Sequence, residues 1–291
     1  MKTFNNFSVL LCSIILLATS CQTKNENGKN IMYQTEIQSD TTGGVSHYQM
    51  NDYELIAIQD VNSNMSAKLF PDVKPELVDN LFPDGFTDAS INVFLLKKDG
   101  KNILFDAGVG QYGMSQNKLK SLNISPEDID YVFITHFHGD HIGGLLNEGI
   151  AAFPEAEIYV SEIEMDTWLN DAILQQRNAL VKQIVEVYGD KIHRYKFGET
   201  IEGVTAYDAN GHTLGHTVFE VGNLLIIGDL LHAANVQIAD PYICALYDMN
   251  KIDAIDSRIR FYDYASHLGK TVAGMHLPFP GVISDFNKYW N

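Results

Sequence analysis

Cysteine is nearly absent from this chain: three occur in 291 residues, at positions 12, 21 and 244. So few exclude a disulfide framework, and stability must come from packing. Positive charge is scarce too. Twenty lysines and arginines face 37 aspartates and glutamates, a net charge of −17 with histidines neutral. A surface of that sign repels phosphate backbones, so nucleic acid is not expected as a partner. Long apolar runs are missing except Phe7 to Ala18, which is too short to span a bilayer comfortably. No repeat recurs at solenoid spacing.

That single run falls within residues 1–21, which read as a processing segment. Lys2 supplies a weakly positive start, and Leu17-Ala18-Thr19-Ser20 sets small residues directly before Cys21. The arrangement resembles a bacterial lipoprotein signal with lipobox, in which Cys21 becomes the lipid-carrying first residue. An ordinary cleaved signal peptide is the alternative. The first reading places the protein in the bacterial cell envelope, lipid-anchored, on the periplasmic or surface side of the outer membrane. Residues 22–48 are polar and aperiodic and include Thr41-Thr42-Gly43-Gly44, as expected of a flexible tether. Residues 49–291 suffice for one large layered domain.

Histidine is what the chain does have, at informative spacing. The run Thr135-His136-Phe137-His138-Gly139-Asp140-His141 follows the strand-like Tyr131-Val132-Phe133-Ile134 and precedes Ile142-Gly143-Gly144. Neutral imidazole and carboxylate bind zinc, manganese, iron or cobalt. Leaving a strand, His136 and His138 share a direction, and the bend into a helix brings Asp140 and His141 to a neighbouring point. That suits two metal ions side by side, which is a hydrolytic device. Other strand ends carry matching groups: His212 in a Gly-bounded turn, Asp229 after Leu224-Leu225-Ile226-Ile227-Gly228, and His276 after Thr271-Val272-Ala273. A turn histidine satisfied by backbone is the alternative for His212 and His276, and a helix cap for Asp229.

From about Tyr53 onward this set resembles the metallo-β-lactamase superfamily, with Asp106-Ala107-Gly108 similar to that family's early turn. The resemblance implies that His136, His138 and His212 hold one ion, that Asp140, His141 and His276 hold the second, and that Asp229 bridges them. It implies two divalent metal ions, zinc foremost with manganese, iron or cobalt as alternatives, and a shared hydroxide as nucleophile. Water bound to such an ion ionises near pH ~7. Asp140, Asp229 and His232 are the catalytic candidates. His232 is read either as a proton donor to the leaving group or as a surface histidine. Asp106 is expected to fix its own turn by an Asx-type bond, and His216 to support or pack. His47, His193 and His267 read as ordinary.

The resemblance implies an α+β fold, a four-layer αββα sandwich, and the order of elements fits it. Strands are expected at 53–59, 91–97, 101–106, 131–135, 157–160, 203–208, 217–221, 223–228 and 271–275. Helices are expected at 171–188, from Leu174, Leu180, Val181, Ile184 and Val187, and at 251–267. Loops around 60–88 and 162–176 are expected to wall a pocket, with Phe70, Phe82, Phe86 and Trp168 as lining or core.

Within the superfamily, Cys244 does not sit at a ligand position, and residues 277–291 are too few for a glyoxalase-II-like helical extension. The stretches 228–237 and 276–281 resemble the methyl parathion hydrolase branch, which neighbours the N-acyl homoserine lactonases. The tyrosine that many lactonases carry three residues after the bridging aspartate is replaced here by His232. The expected activity is hydrolysis of a small neutral ester or lactone, of the acyl homoserine lactone kind. A phosphotriesterase of the methyl parathion hydrolase type is one alternative, and a lipid-anchored metal-binding module without catalysis is another.

Overall fold

The computed structural model describes residues 43–290 except 173, 175 and 176, together with short strands at 22–24, 30–32 and 36–38. Residues 1–21, and with them the expected signal and Cys21, lie outside the described residues.

Two sheets form the centre. The first contains β1 (Glu36–Gln38), β2 (Val45–Gln49), β3 (Tyr53–Ser66), β4 (Phe86–Lys98), β5 (Lys101–Phe105), β6 (Tyr131–Phe133), β7 (Glu157–Ser161) and β8 (Ile192–Tyr195), side by side in chain order. β1 to β5 pair antiparallel, whereas β5 to β8 run parallel. The second sheet contains β9 (Thr200–Ile201), β10 (Val204–Asp208), β11 (Thr217–Val221), β12 (Leu224–Ile226), β13 (Thr271–Ala273) and β14 (Val282–Ile283). Only β12 and β13 are parallel there, because a helical crossover separates them in sequence.

Alternation along the strands builds the layers. In β4, Phe94 and Leu96 enter the core between the sheets, while Val93 and Leu95 enter the core beneath the helices. Phe219 of β11 meets Phe105 and Phe133 of the first sheet with ring centroids 5.6 and 5.4 Å apart. Strands buried on both faces need helices outside. α4 (Glu162–Asn170) and α5 (Ala179–Tyr188) cover the first sheet through Met165, Trp168, Val181 and Ile184. α7 (Lys251–Leu268) covers the second through Phe261, Tyr262 and Ala265. Asn250 caps α7 by accepting from Ile252 N and Asp253 N, and Gly269 ends it in the left-handed region. The four-layer αββα sandwich is thus the fold.

Some expectations need correction. The helix expected at 171–188 begins only at Ala179, because Asp171 and Asn178 serve the end of α4: Asn178 donates its side-chain amide to Trp168 O at 2.7 Å. α4 itself occupies part of the stretch expected to be a loop at 162–176. Likewise β3 continues to Ser66, and α1 (Pro75–Leu81) lies within the loop expected at 60–88. Phe70, Phe82 and Trp168 are buried core, and only Phe86 is exposed. β2 starts ahead of the tether boundary expected at residue 49, and β1 lies wholly within the expected tether.

Candidate metal centre

The site sits where strands of both sheets end. Parallel β6 runs into Ile134-Thr135-His136, and the short α3 (Gly139–Ile142) then carries Asp140 and His141, with His138 at its N-cap position. The β10–β11 loop delivers His212. The turns after β12 and β13 deliver Asp229 and His276. These seven side chains converge. His138 and Asp140 are partly exposed; the other five are buried.

The distances divide them into two sets sharing one carboxylate. His138 Nδ1 lies 3.0 Å from His136 Nε2 and 2.9 Å from His212 Nε2. Asp229 Oδ2 is 3.2 Å from His212 Nε2 and 3.7 Å from His136 Nε2. On the other side Asp229 Oδ1 is 3.0 Å from His141 Nε2, and His276 Nε2 is 3.1 Å from Asp229 Oδ2 and 3.4 Å from Asp140 Oδ2. Within each set, His136, His138, His212 and Asp229 or Asp140, His141 and His276, the donor atoms lie within 4.8 Å of one another.

The outer nitrogens explain why these atoms fit cations. His141 Nδ1 donates to Asp106 Oδ2 at 2.6 Å, His212 Nδ1 to Asp248 Oδ1 at 2.9 Å, and His276 Nδ1 to Ser90 O at 3.2 Å. Thr135 Oγ1 spends its proton on Asp106 Oδ2 at 2.8 Å, so it accepts from His136 Nδ1 at 3.0 Å. A neutral imidazole with Nδ1 protonated presents a bare Nε2. Four such lone pairs therefore point at one carboxylate. His141 Nε2 and Asp229 Oδ1 are buried and make no hydrogen bond, although they face each other. Buried lone pairs facing one another repel unless a cation lies between them, so the donor set fits divalent ions.

Electrostatics in the metal-free chain agree. Burial, and then the neighbouring His141, hold the His136 imidazole well below its usual value, and burial and His212 bring His138 down to about 3. Burial also opposes charge on His141, His212 and His276, but the surrounding carboxylates, Asp229 first and then Asp106, Asp140 or Asp248, together outweigh it and raise all three, His212 to about 9. Burial opposes the Asp229 charge too, yet His141 and His276 keep its carboxyl well below the carboxylate range. Protons on these histidines hold the place that metal ions would take.

Other residues find their roles only in three dimensions. Asp106 makes no Asx turn; its partners are Thr135 N at 2.8 Å, Thr135 Oγ1 and His141. His216 accepts from Asp229 N at 2.9 Å and donates to Ala209 O at 3.1 Å, so its nitrogens are engaged outside both donor sets. Asp229 is not a cap, since its carboxylate faces the histidines. His232 is buried rather than on the surface, with Nε2 3.3 Å from Asp229 Oδ2 and its ring stacked on His276. Both its ring nitrogens lack a hydrogen bond. Gln237 Oε1 fixes its backbone by accepting from His232 N at 2.8 Å. His47 and His193 pair with Glu54 and Glu157 away from the site.

Glu164, Asp248 and Asp60 were not foreseen. Glu164 is fully buried and accepts from Phe137 N (2.8 Å), Trp168 Nε1 (2.7 Å), Thr213 Oγ1 (2.7 Å) and Gly215 N (3.0 Å), tying the two histidine loops together. Asp60, at a register shift in β3, accepts from Val109 N and Ser115 N and anchors the loop after Asp106. A lone acidic residue in an amphipathic segment gives no sequence signal for such work.

The family model described as metallo-beta-lactamase superfamily matches residues 86–284, which takes in every donor of the site. The chain belongs to the metallo-beta-lactamase superfamily. The solved structure of hydrolase AbOPH in the beta lactamase superfamily superposes with a TM-score of 0.77 at 29% identity, covering 84% of this chain and 93% of that one. AidC, a dizinc quorum-quenching lactonase solved with a homoserine product, superposes with a TM-score of 0.74 at 26% identity, covering 82% and 92%. Among curated relatives, a ribonuclease Z from Thermobifida fusca is 28% identical over 188 residues, 60% of this chain and 55% of that protein. One from Nanoarchaeum equitans is 56% identical over 46 residues, 16% and 13%. This superfamily member thus spans little more than half of the longer-matched curated relative.

Proposed function

We propose that the chain is a dinuclear metal hydrolase of a small neutral ester or lactone, with the acyl homoserine lactone type foremost. The observation that carries this reading is the Asp229 carboxylate shared by two donor sets, His136, His138 and His212 on one side and Asp140, His141 and His276 on the other. Two bound divalent ions supply an activated water at neutral pH and a charge to stabilise the developing oxyanion. The chain's residues do the rest. Asp106, Asp248, Ser90 O and Thr135 orient the ligand imidazoles. Asp229 and the buried His232 are placed to return a proton to the leaving oxygen.

Similarity to a dizinc lactonase supports the substrate class. The acidic chain supports a neutral molecule over RNA, despite the partial likeness to ribonuclease Z proteins. A phosphotriester remains the second reading, because His232 stands where many lactonases have a tyrosine. We also propose that Cys21 carries a lipid anchor in the bacterial cell envelope.

The test is elemental analysis of purified protein followed by rates on homoserine lactones, δ-lactones, aryl esters, a dialkyl aryl phosphotriester and a tRNA precursor. Two ions per chain with chelator-sensitive lactone or ester turnover is the expected result. Turnover of the phosphotriester alone moves the assignment to the second reading. RNA cleavage alone, or no turnover with any member of the panel, overturns both.

A further inference from the structure

Segment 246–249 lies beside the metal centre with Asp248 turned in and its three companions turned out. Asp248 is 8% exposed, whereas Leu246, Tyr247 and Met249 are 59%, 48% and 40% exposed. The backbone is fixed on both sides: Met249 N donates to His212 O and Leu246 N to Leu69 O. The Tyr247 ring lies 6.0 Å from the His232 ring. Nothing in the core accounts for three large apolar groups left facing solvent at this place.

Asp248 is held from both oxygens. His212 Nδ1 donates to Oδ1 at 2.9 Å; Ala245 N and Arg258 Nη2 approach Oδ2 at 3.1 and 3.4 Å. Arg258 comes from α7 and is 1% exposed. Its Nε donates to Leu230 O at 2.9 Å, and its Nη1 to Pro241 O and Ile243 O at 2.6 and 3.1 Å. Leu230 is next to Asp229. One guanidinium therefore ties the turn carrying the shared carboxylate to the segment carrying Asp248, and Asp248 in turn sets His212. A buried ion pair is weak evidence for stability, but here it fixes geometry between the two segments, together with Gln237, whose amide accepts from His232 N and donates to Ile243 O at 3.0 Å.

Resting on the hydrolase reading, we propose that Arg258 and Asp248 form a clamp that sets the tautomer of His212 and holds Leu246, Tyr247 and Met249 as the wall for a substrate's hydrocarbon part. Asp248 and Arg258 are positioning residues; the three apolar side chains determine specificity. The substrate class narrows to esters or lactones carrying an apolar chain or ring.

Asp248→Asn tests the clamp. An amide satisfies Ala245 N and Arg258 only by turning its oxygen to them, which points its NH2 at His212 Nδ1. That nitrogen must then accept, so the proton moves to Nε2, the atom facing the metal centre. The expected result, read by competition with a chromophoric chelator, is one ion held roughly 10–100-fold more weakly and the other unchanged. Asp248→Ala, which dictates no tautomer, should weaken that ion less than Asp248→Asn does; a merely structural role predicts the reverse order. In parallel, Tyr247→Ala should lower kcat/KM on a long-chain ester roughly 10-fold relative to an acetyl ester, through KM, with both ions retained. Wild-type protein holding two ions while Asp248→Asn holds both as tightly overturns the clamp alone. An unchanged chain-length preference in Tyr247→Ala overturns the wall. Wild-type protein that holds no ions removes the hydrolase reading and the clamp together.

Discussion

Gly228→Ala is a small change whose cost can be worked out from the structure. Gly228 precedes Asp229 with φ +52°, a conformation that L side chains rarely adopt. Forcing alanine there costs about 1–2 kcal/mol. The added Cβ would also lie 2.5 Å from His216 Nε2 and 3.0 Å from Thr135 Cβ, both fully buried. Relieving overlap of that kind in a packed site costs about 1–3 kcal/mol. The sum is about 2–5 kcal/mol, equivalent to a fall in Tm of roughly 4–20 °C for a domain of this size. The relief must move either His216, which accepts from Asp229 N, or Thr135, which accepts from His136. Both routes displace a metal donor, so metal affinity should fall together with stability. Calorimetric melting of the metal-free protein and chelator competition measure the two separately. A variant that melts with the parent and holds both ions as tightly would refute the strain at Gly228 and the coupling argued from it.

Metal uptake should release protons. His212, raised to about 9, is charged at pH 7 in the metal-free chain and must be neutral to coordinate, and His141 and His276 are shifted in the same direction. Affinity should therefore climb with pH up to about 9, which calorimetry in buffers of different ionisation enthalpy reads directly; zero proton release would contradict the arrangement. The sign for stability is opposite. A histidine raised from 6.5 to about 9 stabilises the metal-free fold fully below 6.5 and loses that contribution as pH rises through about 9. Denaturant midpoints of chelated protein should fall across this window on that account. Glu164→Ala should cost about 3 kcal/mol or more, because Phe137 N, Gly215 N and the Trp168 indole lose their acceptor at about 1–3 kcal/mol each; a change below 1 kcal/mol in urea melts would contradict the brace. Cys21→Ala should abolish incorporation of labelled fatty acid in a bacterial host, and retention of label would disprove the anchor.

The run from His136 to His141 was legible because the donors sit within one turn after a strand, so local geometry alone aims them. His212, Asp229 and His276 could be nominated because the first sits in a Gly-bounded turn between strands and the other two follow apolar runs, and strand ends are where a layered fold exposes polar groups. The four layers were an implication of the family resemblance; in the structure, strands such as Phe94-Leu95-Leu96, buried on both faces, build them. The helix at 171–188 misled because its apolar spacing is real, but the chain spends Asp171 and Asn178 on closing α4. The tautomers fixed by Asp106 and Asp248 and the Glu164 and Arg258 ties join residues 27 to 51 apart in some cases and 10 to 17 in others, and the burial of His232 depends on them. Periodicity carries no information about such partners. What the sequence by itself determined was which side chains can hold metal and which segments are buried. Which lone pairs are bare, and which two loops share one carboxylate, was decided only by tertiary packing, because a hydrogen bond to the far side of an imidazole depends on an element elsewhere in the chain.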